Sequence, residues 1–307
     1  MHYSMNKSLI PFIFILLIFA GCKKEEQIVV TGNTIPNYAG TPTIIIENYV
    51  NRIFIDLIGR EPTDAEMEGK VNFLKGGSLS LQIRGELVDE LMFSTEYIEG
   101  DSSYHKAYFN KFYNDAKGRF LEGASEATLQ EEYGLYVYLV EFYELQGDLF
   151  TAQLLSIEAD KIKSILDSKY HLREGQIMVG AMCNRMCFNS LYDDINMNSF
   201  NFINATFDQL FFRFPTESEF DQAFDIIEFN LAGTLFSTVV QNKSEYLALL
   251  TSIDEFDEGM IRWAYKALLS RDPNSAEVIT LLEDFQNNQD IQTVQKKILI
   301  TDEYAGF

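Results

Sequence analysis

Arg60-Glu61-Pro62-Thr63-Asp64-Ala65-Glu66 returns twice in this chain, as Arg213-Phe214-Pro215-Thr216-Glu217-Ser218-Glu219 and as Arg271-Asp272-Pro273-Asn274-Ser275-Ala276-Glu277. Three copies of Arg-x-Pro-(Thr/Asn)-x-x-Glu make an internal repeat. In each copy the Thr or Asn can cap a new helix, and the Glu three residues later completes a capping box. The proline disfavours helical geometry in the residue before it, so the preceding helix stops there. Each copy therefore predicts a helix, a corner and a second helix.

The agreement extends well beyond the corner. Twelve residues before the proline stand Val50, Ile203 and Ile261; eight before, Phe54, Phe207 and Tyr265; five before, Leu57, Leu210 and Leu268. Each copy closes on Glu-Tyr, at Glu96-Tyr97, Glu245-Tyr246 and Glu303-Tyr304, lying 35, 31 and 31 residues past the proline. The repeated Arg60, Arg213 and Arg271 could form a ligand-binding row. Their place at a helix C-terminus favours a structural role, in which each satisfies free carbonyls and the helix dipole and pairs with the repeat Glu. The Glu-Tyr pairs read as closing contacts, with the ring packed and the hydroxyl at the rim.

Between the first and second copies lies a helical insert rich in aromatics. Helices are expected over Tyr104 to Ala116, Ala127 to Gly147, Leu149 to Tyr170 and Glu174 to Tyr192. Strict apolar alternation is absent and β-branched residues sit at helical spacing, so the class is all-α, helical repeats with a long-helix insert. The parts read as modules over 44–100, 201–250 and 251–307, with the insert over 101–200. The repeat explains the corners as architecture, which leaves the insert as the place to look for function.

The 307 residues are 47% apolar and 14% aromatic, a core-forming composition, and the formal charge is −22. Nucleic-acid binding is excluded as a reading, because phosphate contacts need clustered Lys and Arg. Residues 1–21 have the form of a lipoprotein signal: Lys7, an apolar run from Leu9 to Phe19, then Ala20-Gly21-Cys22. The run is short for a membrane span, so Cys22 is expected to become a lipid-modified N-terminus, and residues 22–43, with Gly32, Pro36, Gly40 and Pro42, a tether. Removing residues 1–21 takes away one Lys and no acid, leaving 23 − 46 = −23 on the mature chain.

Chemistry-bearing motifs are few. Cys183 and Cys187 stand four apart on an expected helix among Met178, Met182 and Met186. Core packing is the favoured reading, ahead of a disulfide in an oxidising compartment and a soft-metal site. The mature chain has two histidines, His105 and His171, neither at ligand spacing, and no phosphate loop, nucleophile elbow or dinucleotide fingerprint. No cofactor, metal or catalytic residue is therefore assigned. Paired carboxylates stay open as a hydrolase reading, since 46 acidic residues offer many pairs.

Two family resemblances rest on the first copy. Asp56 to Glu66, then Leu87-Val88-Asp89-Glu90-Leu91-Met92-Phe93-Ser94-Thr95-Glu96-Tyr97, resembles a domain of unknown function found beside cytochrome c domains in planctomycete proteins. Leu57-Ile58-Gly59-Arg60-Glu61-Pro62 with the terminal Glu-Tyr is similar to the phycobilisome-linker-like repeat domain of extracellular bacterial proteins. Lys23-Lys24-Glu25-Glu26 after Cys22 resembles the export signal of Bacteroidetes surface lipoproteins. These resemblances imply a helical interaction module outside the cytoplasm with no catalytic residues to carry over. The combined expectation is an outer-membrane lipoprotein, at the cell surface or on the periplasmic face, whose helices serve binding or assembly. Its partners would be the membrane through the lipid and an unidentified envelope protein or polysaccharide. The alternative is an accessory protein of a periplasmic redox or degradative system.

Overall fold

A computed structural model describes residues 37–307 except residue 288. The expected signal peptide, Cys22 and most of the tether lie outside the described residues. The first module comprises α1 (Thr43–Ile58), α2 (Asp64–Gly76) and α3 (Leu81–Phe93). The insert supplies α4 (Tyr104–Phe120), α5 (Glu126–Gln146), α6 (Leu149–Arg173), α7 (Val179–Cys187) and α8 (Ser190–Asn196). The second module holds α9 (Ser199–Phe211), α10 (Glu217–Phe229), strands β1 (Gly233–Leu235) and β2 (Thr238–Val240), and α11 (Lys243–Leu250). The third has α12 (Asp254–Leu269), α13 (Ser275–Gln286), α14 (Ile291–Leu299) and the short α15 (Asp302–Ala305). The all-α expectation holds.

Local sequence explains the elements. Tyr49, Val50, Ile53, Phe54, Leu57 and Ile58 form the buried row of α1, and Ile203, Phe207 and Leu210 repeat it on α9. All three corners carry the complete capping box, with Thr63, Thr216 or Asn274 as cap. The helix before each corner ends in a left-handed residue: Gly59 (φ 84°), Phe212 (φ 59°) and Ser270 (φ 55°). Glycine adopts this conformation without steric penalty, whereas Phe212 and Ser270 hold it against one.

Two expectations need correction. The helix expected from Glu174 to Tyr192 is two helices, broken at Asn189. The Asn189 amide donates to the carbonyls of Arg185 and Met186 while its oxygen accepts from the Tyr192 N–H, so one side chain closes α7 and opens α8. The second module, expected to be helical without strands, links α10 to α11 through an antiparallel two-stranded hairpin. Its two turn residues, Phe236 (φ 49°) and Ser237 (φ 64°), both take positive φ as a tight hairpin requires, without the Asn-Gly that would advertise it.

The third module packs against both others: α14 and α15 meet the first module at α3 and α1, and α12 crosses α9 of the second. That crossing needs Gly259, where a Cβ would stand 1.9 Å from the Leu210 carbonyl oxygen. The segment just ahead of α1 is locked to α15 and the residues after it. Fully buried Arg84 donates to the Tyr38 hydroxyl (3.0 Å) and the Asp302 carboxylate (2.8 Å), and its guanidinium lies 5.2 Å from the rings of both Tyr38 and Phe307.

Gly259→Ala is expected to lower unfolding stability by about 3 kcal/mol, because backbone cannot yield as a side-chain tip can. Ser270→Gly, at an exposed left-handed position, is expected to raise it by about 1 kcal/mol. Denaturant unfolding of the two variants checks both signs.

Candidate functional site

Each repeat arginine is held as a fork. Arg60 donates from both terminal nitrogens to Glu66 (2.8 Å each), from Nη1 to the Glu61 carbonyl (2.9 Å), and from Nε to Asp101 (2.8 Å). Arg213 does the same with Glu219 (2.8 and 2.7 Å), the Phe214 carbonyl and Glu255. Arg271 repeats it with Glu277 (2.9 and 2.7 Å), the Asp272 carbonyl and Glu303. The guanidinium also lies over the aromatic residue eight before the proline: Phe54 at 5.6 Å, Phe207 at 5.2 Å and Tyr265 at 5.1 Å. With their donors occupied in all three copies, these arginines form corners and not a ligand row. The carbonyls they bind belong to the corner itself, one residue on, and not to the preceding helix.

The second carboxylate of each fork was not evident from the repeat. Asp101, Glu255 and Glu303 fall 39, 40 and 30 residues past the corner proline, and only the last belongs to an expected Glu-Tyr pair. Tyr304 is buried and donates to Asp56 (2.7 Å), and Tyr246 is buried against Thr206 (2.7 Å). Tyr97 is 81% exposed, so the first copy's Glu-Tyr pair does not close its module. Tyr104, donating to Glu66 at 2.6 Å and edge-on to Phe54, reaches the corner there instead.

A cleft of about 560 Å³ opens where the three modules converge. The residue six before each corner proline, Asp56, Gln209 or Ala267, contributes to its lining, together with Asp115, Arg119 and Trp263, the only tryptophan of the chain. Arg119 donates to the carbonyls of Gln209 (2.8 Å) and Asp208 (3.3 Å), and Gln209 returns a bond to the Arg119 carbonyl (2.9 Å). Burial raises the carboxyls of Asp56 and Asp115 above their ordinary range, opposed by the Tyr304 hydroxyl and Arg52 at Asp56 and by Lys111 at Asp115. Both carboxylates thus have protein partners, and the cleft presents a mixed lining of acids, cations, amides and one indole.

Cys183 and Cys187 are free and fully buried among Met182 and Met186. Burial pushes the Cys183 thiol up to about 12 and Cys187 well above its ordinary value, so neither is a ready thiolate. His105 meets the Met92 carbonyl (2.8 Å) and His171 meets Arg185 (3.0 Å), both contacts within the structural frame. Among the described residues no three His, Cys, Asp or Glu converge on a metal-sized site.

The α5–α6 hairpin is different in kind. Leu129 is the one buried residue of α5, and the C-terminal half of α6 anchors the pair through Ile162, Ile165 and Leu166. Beyond that root, large apolar side chains face solvent: Tyr138 (63% exposed), Phe142, Leu145 (86%), Leu149, Phe150 (72%) and Leu154. Scattered exposed leucines are ordinary; here these six large apolar side chains stand exposed on one helix pair.

Hydrogen bonding at the corners makes a pH prediction. Burial resists ionisation of Glu66, yet bonds from Arg60, Tyr104 and Thr63 hold it down to about 2; Arg213, against burial and with help from Thr216, holds Glu219 there as well. A carboxyl depressed on folding stabilises the folded state above its ordinary 4.5, and that contribution is lost as pH falls towards 2. The Glu66→Gln, Glu219→Gln double variant should be less stable at neutral pH and show a shallower loss of stability between those pH values; profiles parallel to the parent would contradict the assignment. Comparison with known proteins found no matching family model, no similar curated protein and no similar solved structure.

Proposed function

We propose that this protein is a lipid-anchored component of the cell envelope, held at the outer membrane and facing the cell surface, that acts as a non-catalytic binding or assembly module. The observation that carries the reading is the hairpin: the repeats bury their apolar rows, whereas α5 and the N-terminal half of α6 leave Leu135, Tyr138, Phe142, Leu145, Phe150 and Leu154 exposed. The forked corners make a rigid body on which such a hairpin can be presented. Anchoring is argued from the Ala20-Gly21-Cys22 signal, and among the described residues no helix is long and apolar enough to cross a membrane. A second reading, an accessory protein of a degradative system, draws on the cleft lined by Trp263, Asp56 and Asp115. The buried, free cysteines lend nothing to the redox form of that reading.

Cys22→Ala should move the protein from the membrane to the soluble fraction, and an unchanged partition would remove the anchor from the proposal. Protease shaving of intact cells should degrade the hairpin; complete protection would place the protein on the periplasmic face. A photo-crosslinking residue at Phe142 should yield a discrete adduct in the native envelope, while one at the exposed, repeat-derived Tyr97 should not. Because Trp263 is the sole tryptophan, its fluorescence reports directly on any small ligand entering the cleft; a saturable shift with envelope-derived oligosaccharides would favour the second reading.

A further inference from the structure

α5 carries two apolar rows. Leu129, Tyr133, Tyr136, Val140 and Tyr143, spaced four, three, four and three apart, are buried or half-buried, and α6 is the helix packed along α5. Leu135, Tyr138, Phe142 and Leu145, spaced three, four and three apart, are all exposed. The second spacing is that of a coiled-coil seam, and it occupies about 15 Å of helix. A helix with two such rows has room for two helical neighbours, and the fold supplies one.

The charge around the exposed row narrows what the other neighbour can be. From Phe120 through Asp160 there is no Lys, Arg or His, while Glu131, Glu132, Glu141, Glu144 and Asp148 surround the row and the hairpin tip. Glu131, Glu141 and Glu144 are exposed, and none forms an ion pair among the described residues. Pairing with a second copy of this chain would set acid against acid at the positions flanking the seam. An anionic lipid surface would meet the same repulsion. We infer that the exposed row of α5 docks a cationic amphipathic helix of a partner protein, an apolar seam flanked by lysines or arginines. This rests on the reading of the hairpin as the binding surface.

The test uses the Cys22→Ala full-length chain and three labelled peptides of roughly five helical turns. One is a Lys–Leu amphipathic helix, one its Glu–Leu counterpart, and one a Lys–Leu scramble with no apolar face. Fluorescence anisotropy should show binding of the Lys–Leu helix, weakening as salt rises. The Leu135→Gln, Phe142→Gln, Leu145→Gln variant keeps every charge and alters only exposed positions, and should bind the Lys–Leu helix at least about tenfold more weakly. Equal binding of the scramble, or an unchanged affinity of the variant, would reduce the effect to bulk charge and overturn the inference. Equal, variant-sensitive binding of the Glu–Leu helix would overturn the charge assignment alone and leave the hairpin as a binding surface. Dimerisation, or retention on anionic vesicles, that the variant abolishes would reassign the row to a second copy or to a membrane. Failure of all three peptides together with no envelope adduct from Phe142 would remove the binding-surface reading as well.

Discussion

A planar guanidinium clamped between two carboxylates sets the geometry of this protein three times over. Arg60, Arg213 and Arg271 each grip the N3 glutamate of the next helix through two parallel bonds and reach with Nε towards a second acid. An isolated surface ion pair contributes little, but a bidentate fork whose partner is also locked in a capping box leaves each side chain almost no alternative position. The second acid comes from the chain that follows the module's third helix: Asp101 lies ahead of α4, Glu255 in α12 and Glu303 in α15. A lysine could supply the charge at these sites but not the planar fork.

The three copies are not used alike. The third module, last in sequence, lies against both the first and the second, and Gly259 lets α12 approach the backbone of α9 where any side chain would collide. Convergence of the corner helices also produces the cleft, because the same register position of each copy, six before the proline, looks into it. That position differs in every copy, as Asp56, Gln209 and Ala267, and so gives the cleft part of its mixed chemistry. Such variation is free to occur there because these side chains line a space and do not fill the core.

The corners were legible in the sequence because Thr-x-x-Glu after proline is a local device whose partners sit three residues apart. The class was legible from apolar spacing on α1, α4, α5 and α6. The second carboxylates were not, since Asp101 and Glu255 reach their arginines through tertiary packing, at distances along the chain that no pattern fixes. Asn189 was missed for a related reason: an asparagine between two apolar stretches is unremarkable until its amide and its oxygen are seen serving different helices. The two-sided character of α5 was partly readable. Leu129, Tyr133, Tyr136, Val137, Val140 and Phe142-Tyr143 together indicate a helix with more than one apolar side, but which row faces α6 and which faces water depends on where the root of the hairpin is held.

Arg84 gives the molecule a mechanical character. It holds Tyr38, just ahead of α1, to Asp302 of α15 and to Phe307. A pull on Tyr38 therefore enters at a point already bolted across the fold, and is shared at once between α1, α3 and α15. The tension passes through the one fully buried guanidinium among the described residues, while α5 and α6 make none of these contacts. A hairpin outside the load path keeps its shape while the body it stands on is being tugged.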